Sequence, residues 1–217
     1  MKQDIIYLRC RRVSSTHSSG LLKHHIDSSH PELSLNLCGS HRNAQQWVNF
    51  LGEQRWNKAI KIFTLRNSFD NAVSIYLHKR VSRMYHPNEK IPVGEIKRLI
   101  HGFREKVKSE LDSIKENPER TERFGSWYSD RNWRIYTIND KLVTNNILMY
   151  DNPRESWFKV LNNVGIKPDE EHINLFAERS QQATQKYNYR DFYDNETHEF
   201  VKELRTKEIN IFKFTLK

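Results

Sequence analysis

Apolar residues along this chain switch between two spacings. IIYLRC (5–10), LSLNLC (33–38) and AIKIFTL (59–65) are short apolar runs with β-branched residues, and each reads as a buried strand. Between and after them the spacing turns helical. LLKHHI starts a short helix at residue 21, and QQWVNFLGEQ (45–54) places Trp47, Phe50 and Leu51 at i, i+3 and i+4. Ala72, Val73, Tyr76, Leu77 and Val81 mark a helix from Phe69 to about Met84. A long amphipathic helix is predicted between Pro92 and Pro118, with Ile96, Leu99, Ile100, Phe103, Val107, Leu111 and Ile114 as its stripe. WRIYTI (133–138) and NILMY (146–150) read as strands. DNPRESWFKVLNNVG (151–165) reads as a helix capped by Asp151 or Asn152, with Pro153 in its first turn and Gly165 at its end. A last helix is predicted from about Asn195 to Phe212.

Strands that alternate with helices predict an α/β fold, with a central parallel sheet flanked by helices. The segment 80–145 reads as a mainly helical insert in a single domain spanning residues 1–217. In such sheets a ligand sits at the carboxyl ends of the strands. Those ends carry Arg11 and Arg12, the Gly39–His41 turn, and Arg66. Two of the three are cationic, so the predicted ligand is an anion.

Charge agrees with this. The net charge is +9, which favours a nucleotide, a sulfated or phosphorylated ligand, an acidic polysaccharide or a nucleic acid without choosing among them. An aromatic content of 12% argues against general disorder. The two cysteines, Cys10 and Cys38, match no zinc spacing and cannot make a disulfide framework; both read as small buried thiols. No charged-then-apolar signal pattern and no apolar run of about 18 residues is present, which predicts a soluble, cytoplasmic protein.

Three constellations could bear chemistry. CRRVSSTHSSGLL (10–22) joins a strand to a helix through a basic, hydroxyl-rich turn, where helix N–H groups and hydroxyls can face an anion. A polar loop with a capping Ser or Thr would look the same. CGSH (38–41) puts His41 near a strand's carboxyl end as a candidate base, or as an ordinary turn residue. Arg66 leaves the third strand, with Ser74 eight residues on, a pair suited to a phosphate. An Arg ending a strand and a Ser facing solvent is the plainer alternative.

Taken in order, these segments resemble the PAPS-dependent sulfotransferases, most closely the carbohydrate type. LRNSFDNAVSIY is similar to the family's RDPxxRxxSxY segment, with Arg66 and Ser74 on the residues that bind the donor's 3′-phosphate. RRVSSTH resembles the PKTxxTS loop, so the resemblance assigns Arg12, Val13, Ser14, Ser15, Thr16 and His17 to the 5′-phosphosulfate. GSHRNAQQWVNFL resembles the GH…L segment, whose His is a proposed base and falls on His41. YNYRDFYDNETHEFVKELRTKEINIFKF (187–214) and NILMYDNPRESWFKVLNNVGI are similar to the C-terminal and YEDL…LG segments. The likeness spans residues 5–78 and 146–214. Arg12 stands where the family has Lys, which keeps the charge but exchanges a compact ammonium for a planar fork. Asn67 and Ser68 stand where the family has Asp-Pro.

The resemblance implies a P-loop-like sulfotransferase fold and PAPS (3′-phosphoadenosine 5′-phosphosulfate) as donor substrate. It implies an acceptor hydroxyl, with His41 and Arg12 as the catalytic pair and no metal. The insert, with Lys79, Arg80, Arg83, Lys90, Arg120, Arg123, Arg131, Trp127 and Trp133, would suit an anionic or saccharide acceptor, or a basic surface over a packed core. Two other readings stay open. A nucleotide-dependent phosphotransferase would need the Walker-type Lys-Ser/Thr pair, which is missing. A non-catalytic anion-binding protein, for polysaccharide or nucleic acid, needs only the basic surface. No recognised nucleic-acid motif is present, so nucleic acid is the weaker partner.

Overall fold

The computed structural model describes residues 3–10, 15–30, 32–36, 42–81, 91–117, 132–184 and 187–216. The chain divides into two compact units. One comprises Met1–Arg66 with Asn132–Ala183, and the other Asn67–Arg131 with Thr184–Lys217.

The first unit is α/β. Strands β1 (Gln3–Leu8), β2 (Leu33–Asn36), β3 (Ile60–Leu65) and a later strand, β6 (Ile147–Met149), form a parallel sheet in the order β2-β1-β3-β6. Ile5, Ile6, Tyr7 and Leu8 are all fully buried, so both faces of β1 are covered. That is why the strand reads as a continuous apolar run rather than an alternating one. Ile5, Tyr7, Ile62 and Leu148 pack in one core with Leu22 and Ile26 of helix α1 (Ser15–Ser29) and with Trp157 and Leu161. Helices α2 (Ala44–Leu51) and α3 (Glu53–Lys58) replace the single helix expected at 45–54. Asn43 and Gln46 form a reciprocal capping box at the start of α2, and Gly52, at φ 78°, ends it.

WRIYTI is not a strand. Trp133–Tyr136 forms one helical turn, α6, and only Thr137–Ile138 (β4) is extended, pairing antiparallel with Lys141–Leu142 (β5). Trp133, Ile135 and Tyr136 are all buried, which a half-buried strand with alternating faces cannot arrange. Tyr136 stacks on Phe63 at 4.3 Å, and the Trp133 indole N–H donates to Asp140 at 2.8 Å. Trp133 is therefore a core residue and not part of an acceptor surface. Asn139 and Asp140, at φ 50° and 58°, supply the two left-handed positions of the tight β4–β5 turn.

Helix α7 (Pro153–Asn163) follows β6 with Pro153 in its first turn, as expected. Asn152 does not cap its backbone; its amide reaches the Glu155 carboxylate instead. Helix α8 (Glu170–Thr184) then follows, where the sequence had predicted no element.

The second unit is helical: α4 (Ser68–Val81), α5 (Val93–Glu116), a 3₁₀ turn (Tyr189–Phe192), α9 (Asn195–Leu204) and α10 (Thr206–Phe212). The predicted α5 stripe is borne out at Leu99, Phe103, Val107 and Leu111, which are buried against Phe69, Val73, Phe192 and Val201. A Cβ at Gly102 would lie 2.5 Å from the Tyr76 hydroxyl, so the glycine lets α4 approach α5 closely. The last helix is two helices because Arg205 leaves the helical path and turns its guanidinium inward. There it donates to Asn71 at 2.9 Å and pairs with Glu208 at 3.5 Å. Among the described residues no helix is long and apolar enough to cross a membrane.

Candidate functional site

The sheet order reverses between β1 and β3: β2 lies to one side of β1, and β3 and β6 lie to the other. In open parallel sheets such a reversal opens a crevice at the carboxyl ends of the two strands. Leu8, the last residue of β1, is paired with Phe63, and β3 runs on to Leu65. Arg66 follows at once. It is only 7% exposed, and its guanidinium carbon sits 4.4 Å from the centroid of the Tyr150 ring. Tyr150 is held there by its own N–H, which donates to the Leu65 carbonyl at 2.7 Å. A cation over a ring at this distance is stabilised by roughly 0.5–2 kcal/mol, more as water is excluded.

Behind Arg66, the hydroxyls of Thr64 and Tyr7 meet at 2.6 Å between β3 and β1. Burial pushes the Tyr7 phenol far above its ordinary range, with the Thr64 hydrogen bond working the other way, so it stays neutral.

The polar run after Arg66 has local structural partners in the helical unit. The Asn67 side chain accepts the Phe69 N–H at 2.9 Å and donates to the Thr215 carbonyl at 2.9 Å, capping α4. The Ser68 hydroxyl donates to Glu208 at 2.9 Å, and Asn71 accepts from Arg205. Asn67 and Ser68, which depart from the resembled Asp-Pro, are thus a helix cap and a network member. Ser74 is buried in α4 at 5% exposure, which excludes the solvent-facing alternative.

Of the other predicted site residues, Arg12, Val13, Ser14 and His41 lie outside the described residues. Ser15 and Thr16 open α1, though their side chains lie outside the described part; His17 follows with an exposed side chain. Cys10, which ends the first apolar run, is buried as expected, and Cys38 lies outside the described residues. Of the basic and aromatic insert residues, the Arg80 side chain is exposed on α4.

One constellation was not legible in the sequence. His24 on α1, Asp169 just before α8 and His172 in its first turn meet at one carboxylate. His24 Nε2 lies 3.2 Å and His172 Nδ1 2.9 Å from Asp169 Oδ2, with the two imidazoles stacked at 3.9 Å. Asp169 caps α8, accepting the His172 N–H at Oδ1. Its own N–H donates to Nε2 of buried His25, whose Nδ1 is 2.8 Å from the Leu21 carbonyl. The His172 backbone N–H and then the His24 ring hold the Asp169 carboxyl down at about 2. Burial pushes His25 below its ordinary range, in keeping with a neutral ring that donates at Nδ1 and accepts at Nε2. The available signal was the Asp169-to-His172 spacing of a helix cap, but His24 lies 145 residues from Asp169, and only the fold joins them.

No family model, curated protein or solved structure matches the chain.

Proposed function

We propose that this chain is a PAPS-dependent sulfotransferase that moves a sulfuryl group from PAPS to an acceptor hydroxyl, with a saccharide as the acceptor class. The observation that supports it most is buried Arg66, leaving β3 beside the β1/β3 reversal of a parallel sheet. Parallel sheets bind ligands at that end, and a guanidinium there supplies a fixed positive charge for an anionic one. The ordered segments that resemble the family add to this reading, and so does the net charge of +9.

In this reading Arg66 grips the donor's 3′-phosphate. Ser74 belongs to the proposal through the resemblance alone. Arg12, Val13, Ser14, Ser15, Thr16 and His17 surround the 5′-phosphosulfate, with the first N–H groups of α1 facing it. Holding both ends of the donor fixes the sulfur for in-line attack, and positioning of this kind contributes about 7–11 kcal/mol. The acceptor oxygen forms a bond to sulfur as the bridging S–O bond to the phosphate breaks. His41 takes the acceptor's proton, and Arg12 stabilises the charge left on the departing phosphate oxygen.

The test is transfer of labelled sulfuryl from PAPS to a panel of hydroxylated acceptors. Wild type transfers label without added metal, whereas His41→Ala retains donor binding and loses turnover by roughly a hundredfold or more. A His41→Ala variant that turns over normally overturns the assignment of the base. No transfer to any acceptor, together with no binding of PAP (the desulfonated donor), overturns the proposal.

A further inference from the structure

Asp169, His24 and His172 carry a second reading that owes nothing to the sulfotransferase proposal. We propose that these three side chains form a Zn²⁺ site that clips helix α8 to helix α1. All three ligand residues belong to the sheet unit, and none is part of the proposed donor site.

The donor set suits the ion. Two imidazole nitrogens and a carboxylate oxygen are ordinary zinc ligands, and three protein ligands with one position left to water is a common arrangement. The spacing suits it too. Zinc bonds of roughly 2.0–2.2 Å in a tetrahedron set ligand atoms about 3.4 Å apart. The nitrogen-to-oxygen separations are 3.2 and 2.9 Å, and the three ligand atoms lie within 4.8 Å of one another. Centring an ion takes a few tenths of an ångström at Asp169 and a rotation of the stacked rings, now 23° apart, until both ring planes converge on it. The side chains are 37%, 39% and 45% exposed, which leaves an approach for the ion and room for a water ligand.

The carboxylate is positioned in advance. The His172 backbone N–H occupies Oδ1, so Oδ2 is the oxygen turned toward both rings. His25 holds the Asp169 backbone through its N–H and is itself anchored on Leu21. Supporting contacts of this sort orient ligands and raise metal affinity. In the metal-bound state His24 coordinates through Nε2 and His172 through Nδ1. A neutral ring then carries its proton on the other nitrogen, and a protonated ring releases one proton to solvent.

A clip between positions 145 residues apart constrains a long loop of the unfolded chain, so the ion stabilises the fold. The experiment uses the full chain, stripped with chelator and titrated with Zn²⁺ or with Mg²⁺. One equivalent of Zn²⁺ is taken up, the unfolding midpoint rises with Zn²⁺ concentration, and Mg²⁺ does neither. His24→Gln and His172→Gln, both part-exposed and expected to fold, each lower Zn²⁺ affinity by about 100-fold or more. His198→Gln, a histidine on α9, leaves it unchanged. Co²⁺ added to wild type gives a visible absorption band that one equivalent of Zn²⁺ abolishes, a readout that does not depend on the variants. No stoichiometric uptake, or uptake that survives both substitutions, overturns the site and leaves a hydrogen-bonded imidazole–carboxylate cluster only.

Discussion

The two units bury polar groups in different places. In the sheet unit the core around Ile5, Ile62, Leu148 and Trp157 is apolar, and its buried polar groups are scattered: His25 in mid-α1, Thr64 with Tyr7 between two strands, and Arg66 after β3. In the helical unit most buried polar groups gather in one network, where α4 begins and where α9 gives way to α10. Ser68, Asp70, Asn71, Arg205 and Glu208 are all buried, and hydrogen bonds tie Ser68 to Glu208 and Asn71 to Arg205. The lesson concerns what a buried charge means. Arg205 has its carboxylate and amide within the packed helices, so its role is to fix how they pack. Arg66 lies over the Tyr150 ring at the carboxyl end of β3, the end at which parallel sheets bind ligands, so its position and not its burial is what points to a ligand.

That contrast can be broken most sharply at Glu208. Glu208→Ala leaves the Arg205 guanidinium without its buried carboxylate, and unfolding in denaturant should show a loss of about 3–5 kcal/mol. Removing both charges together, as in Arg205→Met with Glu208→Leu, should recover part of it, because the ion pair goes as a unit while buried Ser68 and Asn71 each lose a hydrogen bond. If the double variant is as unstable as the single one, the network is not a self-contained ion pair.

A smaller effect is expected at Gly102. Gly102→Ala gains helix propensity of about 1 kcal/mol but drives its methyl into the Tyr76 hydroxyl, where overpacking costs about 1–3 kcal/mol. The single variant should be destabilised by up to about 2 kcal/mol. Adding Tyr76→Phe, which removes the clashing oxygen, should relieve it, and thermal unfolding of the pair reads this directly.

The mildest test is acid. His25 has a folded pKa depressed by burial, so the unfolded chain takes up its proton first. Its contribution is complete above about 6.5 and is lost as pH falls below that value. For Asp194, burial works upward, but the Thr197 N–H and Arg104 outweigh it and hold the carboxyl below 3.8. Its contribution persists above that value and fades only as pH falls further. With chelator present, stability should therefore decline from pH 7 to pH 5 through the sheet unit, by up to about 1.4 kcal/mol per pH unit. His25→Gln should flatten that slope, whereas Asp194→Asn should leave it unchanged.

Much of this architecture was legible because period and burial agreed. β1, β3 and β6, the start of α4 and the whole of α5 follow their apolar spacing within a residue or two. Misreadings arose where tertiary contacts overrode the local pattern. Trp133, Ile135 and Thr137 alternate like a strand, yet the demand to bury Tyr136 against Phe63 as well made a helical turn. The final helix kept its spacing through 205, and only the inward turn of Arg205 toward Asn71 broke it. Arg66 drew notice as a candidate because a charge at the end of an apolar strand is conspicuous; its burial over the Tyr150 ring came only with the fold. The His24–Asp169–His172 cluster could not, since its ligands come from two distant helix segments and share no motif.

The most direct test of the account is the midpoint shift that PAP produces in wild type and in Arg66→Ala. Tight binding raises stability by mass action, about 2.7 kcal/mol at a hundred times the dissociation constant. Wild type should show a PAP-dependent rise that ATP with Mg²⁺ does not reproduce. Arg66→Ala should fold, yet need at least tenfold more PAP for the same shift. An equal shift in both proteins, or none in wild type at millimolar PAP, would contradict the assignment of Arg66 to the donor's phosphate.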